Sequence, residues 1–139
     1  MTGGKLKNID ALEFILAGNS TVTFLNTVTG NRFTYKVKKN KSNDVFFVKV
    51  LTSPDLYTYI GSIFNKSFKH SLKSKASQDS QSVKVFQYVI NRLVSKSLPD
   101  TIEIWHEGKC GRCGRQLTVP TSIETGIGPE CQRLINKTK

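Results

Sequence analysis

The three cysteines of this 139-residue chain are the feature that most constrains its fold. Cys110 and Cys113 form a C-x2-C hook, and Cys131 follows later in the chain. Such a hook places two thiolates on one side of a metal ion, and a returning segment can supply a third. With His106, just before the hook, as the fourth ligand, the spacing predicts a structural Zn²⁺ site.

Other ligands could complete the predicted site: Glu107, Glu124, His70 or a water molecule. Without a metal, the three cysteines would be free or redox-active thiols. Catalytic zinc is disfavoured, because nucleobase deaminases combine H-x-E with a separate P-C-x-x-C segment. Here His106 and Glu107 are adjacent and the hook follows almost immediately.

The residues before Cys131 indicate how the chain returns to the site. Gly126 to Pro129 form a loop whose proline suits the first turn of a helix. Cys131 then lies in that first turn, where the helix dipole favours a thiolate. A hook, a hairpin and a ligand-bearing helix form the layout of treble-clef-like zinc modules, although those usually carry a second C-x2-C pair.

The charge balance is the second strong constraint. Lys and Arg number 21 against 10 acids, for a formal charge of +11. So large an excess predicts a polyanionic partner: nucleic acid, either DNA or RNA, an acidic protein face or a membrane surface. The alternative is a solvated strand face whose lysines protect an edge from aggregation. The predicted binding residues are Arg32, Lys36, Lys38, Lys39, Lys41, Lys66, Lys69, Lys73, Lys75, Arg112 and Arg115.

Hydrophobic periodicity predicts an α+β domain: a four-stranded antiparallel sheet with two helices and a C-terminal treble-clef-like zinc knuckle. The nearly continuous apolar run at 45–51 predicts a central strand covered on both faces. The other three predicted strands are 21–26, 32–38 and 56–64, and a short fifth run at 101–105 leads into the knuckle.

Two helices are predicted, one before the first of these four strands in the chain and one after the fourth. Asp10 and Glu13 have capping-box spacing before an apolar stripe that Gly18 closes. From Ser82 the apolar residues follow i, i+3, i+4 spacing until Pro99. Residues 65–81, rich in Ser and Lys, predict a long basic loop.

These elements predict a core domain over 1–100, containing the basic loop 65–81, with a zinc-binding module over 101–139 packed on it. No apolar run approaches the roughly 20 residues that span a bilayer, and residues 1–8 lack the apolar core of a secretory signal. A C-x2-C pair favours metal over disulfide in a reducing compartment, so the prediction is a cytoplasmic protein with no membrane partner.

Aromatic residues offer a further candidate surface. Tyr35, Phe47, Tyr57, Tyr59 and Trp105 could form a platform on which single-stranded bases stack. Core positions are the preferred interpretation for most of them, because Tyr35 shares its strand face with other apolar residues. Tyr57 and Tyr59 are the pair that best fits an exposed position.

The C-terminal motif resembles a known family. Cys110-Gly111-Arg112-Cys113-Gly114-Arg115-Gln116-Leu117-Thr118, then Ser122-Ile123, then Gly126-Ile127-Gly128-Pro129-Glu130-Cys131, resembles a family of uncharacterised small proteins encoded largely by bacteriophages. The resemblance covers about the last 30 residues. It implies a metal-binding end and a life in the host cytoplasm, and it implies no shared activity.

The prediction for function is a small, basic, zinc-stabilised nucleic-acid-binding protein that is not an enzyme. Two histidines, one of them assigned to zinc, leave no catalytic triad, and paired carboxylates for metal-assisted hydrolysis are not evident. The alternative is a phage inhibitor or adaptor that docks on an acidic host protein, such as a defence or nucleic-acid-handling protein, because the same charge would steer that encounter.

Overall fold

The computed structural model describes residues 4–41, 44–54, 56–74, 76–113 and 127. These residues contain seven strands and two helices. In chain order the elements are β1 (Gly4–Leu6), α1 (Asn8–Ile15), β2 (Asn19–Asn26), β3 (Arg32–Lys39), β4 (Phe46–Ser53), β5 (Leu56–Phe64), β6 (Ser67–His70), α2 (Gln81–Val94) and β7 (Ile102–His106).

All seven strands belong to one antiparallel sheet in the order β1-β7-β2-β3-β4-β5-β6. Strands β2 to β6 form a meander, since each pairs with the next along the chain. Helix α2 then returns the chain, and β7 inserts between β1 and β2. Because β1 and β2 both run antiparallel to β7, α1 joins two strands that are parallel and one strand apart.

Both helices pack on the same face of the sheet. On that face Phe86 of α2 lies in an aromatic cluster, with ring centroids 4.7 Å from Tyr35, 4.8 Å from Phe68 and 5.7 Å from Phe24. Phe14 of α1 contacts the ring of His106 at 5.7 Å. These side chains are almost completely buried, and apolar burial of this kind is the main stabilising term of a small domain.

The amphipathic pattern predicted for the second helix is confirmed, because Val83, Phe86, Val89, Ile90 and Leu93 are its buried residues. The helix ends with Lys96 in the left-handed region, at φ +57°. The amide of Ser97 donates to the Arg92 carbonyl at 2.9 Å, and that of Lys96 to Leu93 at 3.2 Å. This pair of bonds is a Schellman motif, which satisfies carbonyls at the helix end.

The predicted fold class is wrong in its strand number. The four predicted strands are present as β2 to β5, but the sheet has seven strands. In the described part of the chain, no group of three or more His, Cys, Asp or Glu residues could hold a metal ion, so the treble-clef-like zinc knuckle is not part of the described fold. The division at residue 100 stays a prediction, and β7, from the proposed C-terminal module, lies within the sheet.

Two local predictions are also wrong. The N-cap of α1 is Lys7, which forms no side-chain capping bond, and Asp10 lies inside the first turn. Strand β4 is not covered on both faces: Val48 and Val50 are buried, whereas Phe47 and Lys49, which alternate with them, are exposed.

The predicted loop at 65–81 contains strand β6. Asn65 and Lys66 both adopt positive φ, at +52° and +62°, and link Phe64 to its partner Ser67. A two-residue hairpin with both central residues in this region is a type I′ turn. The only buried residue of β6 is Phe68, which packs on Phe86 of α2.

Candidate functional site

One face of the sheet carries the two helices, and the opposite face, which we call the open face, carries a different set of side chains. Residues of the open face alternate along each strand with the buried ones. No described helix packs on it. Its members include Thr21, Thr23, Arg32, Thr34, Lys36, Lys38, Phe47, Lys49, Tyr57, Tyr59, Ser62, Lys69 and Trp105.

Strand register arranges these residues in rows across the sheet. One row runs Asn19, Lys38, Phe47, Ser62 and Lys69 across β2 to β6. The next row runs Thr21, Lys36, Lys49 and Tyr59 across β2 to β5. Lysines and aromatic rings therefore lie close together on one surface.

A β-bulge between β4 and β5 decides which residues of β5 reach the open face. Val48 pairs with Gly61, but Lys49 pairs with Tyr59, so Ile60 is the additional residue. The shift keeps Ile60 fully buried and places Tyr59 beside Lys49 on the open face. Without the bulge, strict alternation along β5 would have placed Ile60 on the open face and Tyr59 on the buried face.

Lys36 and Lys49 lie directly opposite each other on β3 and β4. Directly opposed residues have Cβ atoms about 5 Å apart, and like charges in such a pair are destabilising. Both side chains are exposed. Among the described carboxylates, none forms an ion pair with Lys36, Lys38, Lys49 or Lys69. We call these four residues the lysine band.

The aromatic rings of the open face lie among these cations. Phe47 is 39% exposed, and its ring centroid is 6.1 Å from that of Tyr59, with the planes inclined at 65°. The Lys36 ammonium lies 4.4 Å from the centroid of the Tyr57 ring, a cation–π contact. Burial, and secondarily the carboxylate of Glu107, raise the pKa of Tyr57, so its hydroxyl stays protonated at neutral pH.

Strand β7 contributes an acidic residue to the open face. Glu103 forms an ion pair with Lys5 at 3.2 Å and accepts a hydrogen bond from the Trp105 indole at 3.2 Å. Trp105 stands between β1 and β2, where Lys5 and Thr23 are its partners. The acid of β7, Glu103, is thus paired with Lys5 at one side of the sheet, whereas the lysine band lies over β3 to β6.

The structure brings together only part of the predicted basic set. Arg32, Lys36, Lys38 and Lys69 share the open face. Lys39 instead pairs with Asp44 at 3.5 Å, and Lys66 lies on the helix side, beside Arg92 and Lys96. Lys41 and Lys73 lie in connections and Arg112 follows Cys110, whereas Lys75 and Arg115 lie outside the described residues.

Sequence reasoning missed Lys49, which is central to the band. Its signal was present, because Phe47, Val48, Lys49 and Val50 alternate between exposed and buried positions. Phe47 is apolar although it lies on the open face, and for this reason the run at 45–51 resembled a continuous apolar strand. The expectation that most of the aromatic set is core is wrong: Tyr35 is buried, but Phe47, Tyr57, Tyr59 and Trp105 all lie on the open face.

The cysteine hook lies against α1, at the end of the sheet where β7 stops. The Gly111 carbonyl accepts from the Asn19 amide at 2.8 Å. A Cβ on Gly111 would come within 2.6 Å of the Phe14 ring, so only glycine permits this approach. Cys110 is buried and Cys113 is exposed, and no disulfide joins these two described cysteines.

Two hydrogen bonds bear on the predicted zinc ligands. The Arg112 amide donates to the Cys110 Sγ at 3.4 Å, a bond that favours a thiolate. The buried His106 ring accepts from the Gly108 amide at Nδ1, at 2.9 Å, so its proton is on Nε2. Zinc at Nε2 would move that proton to Nδ1, facing the Gly108 amide. His106 in this arrangement does not fit the metal, and Cys131 lies outside the described residues.

Comparison with known proteins reaches only this end of the chain. The model of a family described as "Family of unknown function (DUF6011)" matches residues 105–136. The match begins at the end of β7 and leaves the lysine band outside it. No curated protein and no solved structure matches the chain. In the described residues, no helix is long and apolar enough to cross a membrane.

Proposed function

We propose that this protein is a small, basic, non-enzymatic nucleic-acid-binding protein whose lysine band contacts phosphates. The observation that carries the proposal is the direct opposition of Lys36 and Lys49 on the open face. Placing two ammonium groups across a strand pair costs stability. A phosphate between them would convert the repulsion into two favourable ion pairs.

The neighbouring row extends the same surface. Lys38 and Lys69 lie on either side of Phe47 and Ser62 in register, so the band crosses four strands. A chain of phosphates laid across the strands would meet successive cations. Binding of this kind releases condensed counterions and carries little sequence information. Four neutralised phosphates predict a slope of log K against log salt of about −2.8 for a single strand.

The double variant Lys36→Gln/Lys49→Gln tests the band. We expect weaker binding of a labelled oligonucleotide and a salt slope less steep by about 1.4, since two phosphate contacts are lost. Fluorescence anisotropy over a series of salt concentrations measures both quantities. Lys84→Gln/Lys96→Gln removes the same charge from exposed positions in α2 and just after it and serves as the control. Equal slopes in both double variants would contradict the proposal.

Purification of the protein at low salt without nuclease distinguishes nucleic acid from the alternative partner, an acidic host protein. If the partner is an acidic host protein, the purified sample would carry no nucleobase absorbance and would retain a host protein. Phage origin, which the resemblance of the C-terminal motif implies, belongs to the proposal as well, and a phage protein acting in the host cytoplasm is compatible with either partner.

We propose zinc separately, in a purely structural role, with Cys110, Cys113 and Cys131 as ligands and with His106 as the fourth ligand once the Gly108 amide has left Nδ1. Elemental analysis should find one zinc per chain in the wild type and a loss in Cys113→Ser, whose exposed thiol can be changed without disturbing the core. His106→Gln should also lose zinc, if the Gly108 amide leaves Nδ1 on binding. Zinc retained in His106→Gln would assign the fourth position to another group, and zinc absent from the wild type would remove the proposal.

A further inference from the structure

We infer that the open face takes single-stranded nucleic acid, with bases stacked on the rings of Tyr59 and Phe47 while the lysine band holds the phosphates. The inference rests on the proposed function and specifies its ligand. It assigns the two rings a role that phosphate contacts do not require.

The positions of the two rings favour stacking. Tyr59 lies in register with Lys49, and Phe47 with Lys38, so each ring has a cation on the adjoining strand. Their planes are inclined at 65° with centroids 6.1 Å apart. In this edge-to-face contact at most one face of one ring is covered by the other ring, so faces remain on which bases could stack. Phosphates linking such bases would lie near the ammonium groups.

The exposure of Phe47 supports the same conclusion. A phenylalanine that is 39% exposed between Lys38 and Ser62 gains little from the core beneath the sheet. Every base has a π-face, and stacking on aromatic side chains contributes to single-strand binding without sequence preference. An apolar ring within a cationic row is the combination that such binding uses.

Duplex nucleic acid fits this surface less well. In a duplex the base faces are stacked on one another, so Tyr59 and Phe47 would have no base face to contact. Direct readout of a duplex places a helix or a two-stranded ribbon in a groove, whereas the lysine band is spread over β3 to β6 of a broad sheet. Only the phosphates of a duplex would be available to the lysines.

Tyr57 has a different role on the same surface. The Lys36 ammonium lies 4.4 Å from its ring centroid, so one ring face is already occupied. Tyr57 thus helps to position the Lys36 side chain within the lysine band and does not offer that ring face to a base. The stacking residues are Tyr59 and Phe47, and Tyr57 is a positioning residue.

The test compares three ligands of equal length by anisotropy: a labelled thymidine 15-mer, an abasic 15-mer with the same sugar-phosphate backbone, and a 15-base-pair duplex. We expect the thymidine oligomer to bind at least about 10-fold more tightly than the abasic one, because stacking contributes substantially for each base. Duplex binding should be weaker than thymidine binding at the same salt.

Two variants of one residue separate stacking from charge. Tyr59→Leu keeps an apolar side chain but removes the ring, and should lose about 10-fold on the thymidine oligomer with no change on the abasic one. Tyr59→Phe retains the ring and should bind as the wild type does. Lys36→Gln/Lys49→Gln should weaken binding of both oligomers. Thermal melting of each variant confirms that it is folded.

The outcomes separate the inference from the proposed function. Equal affinity for thymidine and abasic oligomers, or tighter binding of the duplex, would overturn the inference and leave phosphate binding by the lysine band in place. Absence of binding to all three ligands at low salt would overturn both. A loss of affinity for both the thymidine and the abasic oligomer in Tyr59→Leu, with a normal melting curve, would also overturn the stacking role. The ring would then act through the lysines.

Discussion

Tyr35 carries a phenolic hydroxyl into the centre of the aromatic cluster. Its side chain is fully buried, and its hydroxyl donates to the Ser82 carbonyl at 2.7 Å. Burial raises the pKa of Tyr35 well above its ordinary value. A tyrosine in the unfolded chain ionises near pH 10, so the folded state is favoured by this residue below pH 10 and loses that advantage as pH rises further.

Tyr35→Phe tests this linkage. At pH 7 the variant should lose about 1 kcal/mol of stability, because one buried hydrogen bond is removed. Between pH 10 and 11 its stability should fall less steeply than that of the wild type, by up to about 1.4 kcal/mol per pH unit. Urea unfolding at several pH values measures both effects. Tyr88→Phe, at an exposed position, should keep the wild-type pH dependence, and parallel curves for all three proteins would refute the assignment.

Between neighbouring strands, the repulsion within the lysine band is expected to lower the stability of the fold while the same charges favour binding. Lys49 opposes Lys36 across β3 and β4, so neutralising one partner should relieve the repulsion. Lys49→Gln is expected to raise the free energy of unfolding by roughly 0.2–1 kcal/mol at low salt, while weakening oligonucleotide binding.

Salt provides the check on that prediction. At about 1 M salt the Debye length falls to about 3 Å, and the stability difference between Lys49→Gln and the wild type should disappear. Urea midpoints at low and high salt measure it, with Lys84→Gln on α2 as the charge-matched control. A destabilised Lys49→Gln at low salt would show that its aliphatic stem matters more than its charge.

Some elements could be predicted from the sequence because their signal is local. The apolar periodicity of α2 and the alternation of β3 are each contained within one element, and both are confirmed. Strand β6 could not be recognised, because Phe68 is its only core residue and its turn uses Asn65 and Lys66 where Gly is the usual signal. Strand β1, with three residues, is too short to show a period.

The candidate surface depends on pairing that no local pattern contains. Lys36 and Lys38 could be predicted as binding residues, since they alternate with buried residues along one strand. The position of Tyr59 beside Lys49 depends on the bulge at Ile60, which is a property of two strands together. For the same reason, the separation between Glu103 on β7 and the lysine band could be seen only once the strand order was known.

In the described part of the chain, the sheet is completed late, because β7 comes last in sequence and inserts between β1 and β2. Phe24 of β2 pairs with Ile104 of β7, and β7 also holds β1 in place. During synthesis, the meander of β2 to β6 emerges from the ribosome well before residues 102–106, so β2 waits with an unfilled hydrogen-bonding edge. Bringing these distant segments together is a slow, high-contact-order step, and a nascent chain stalled before β7 presents a template for misassembly with other chains.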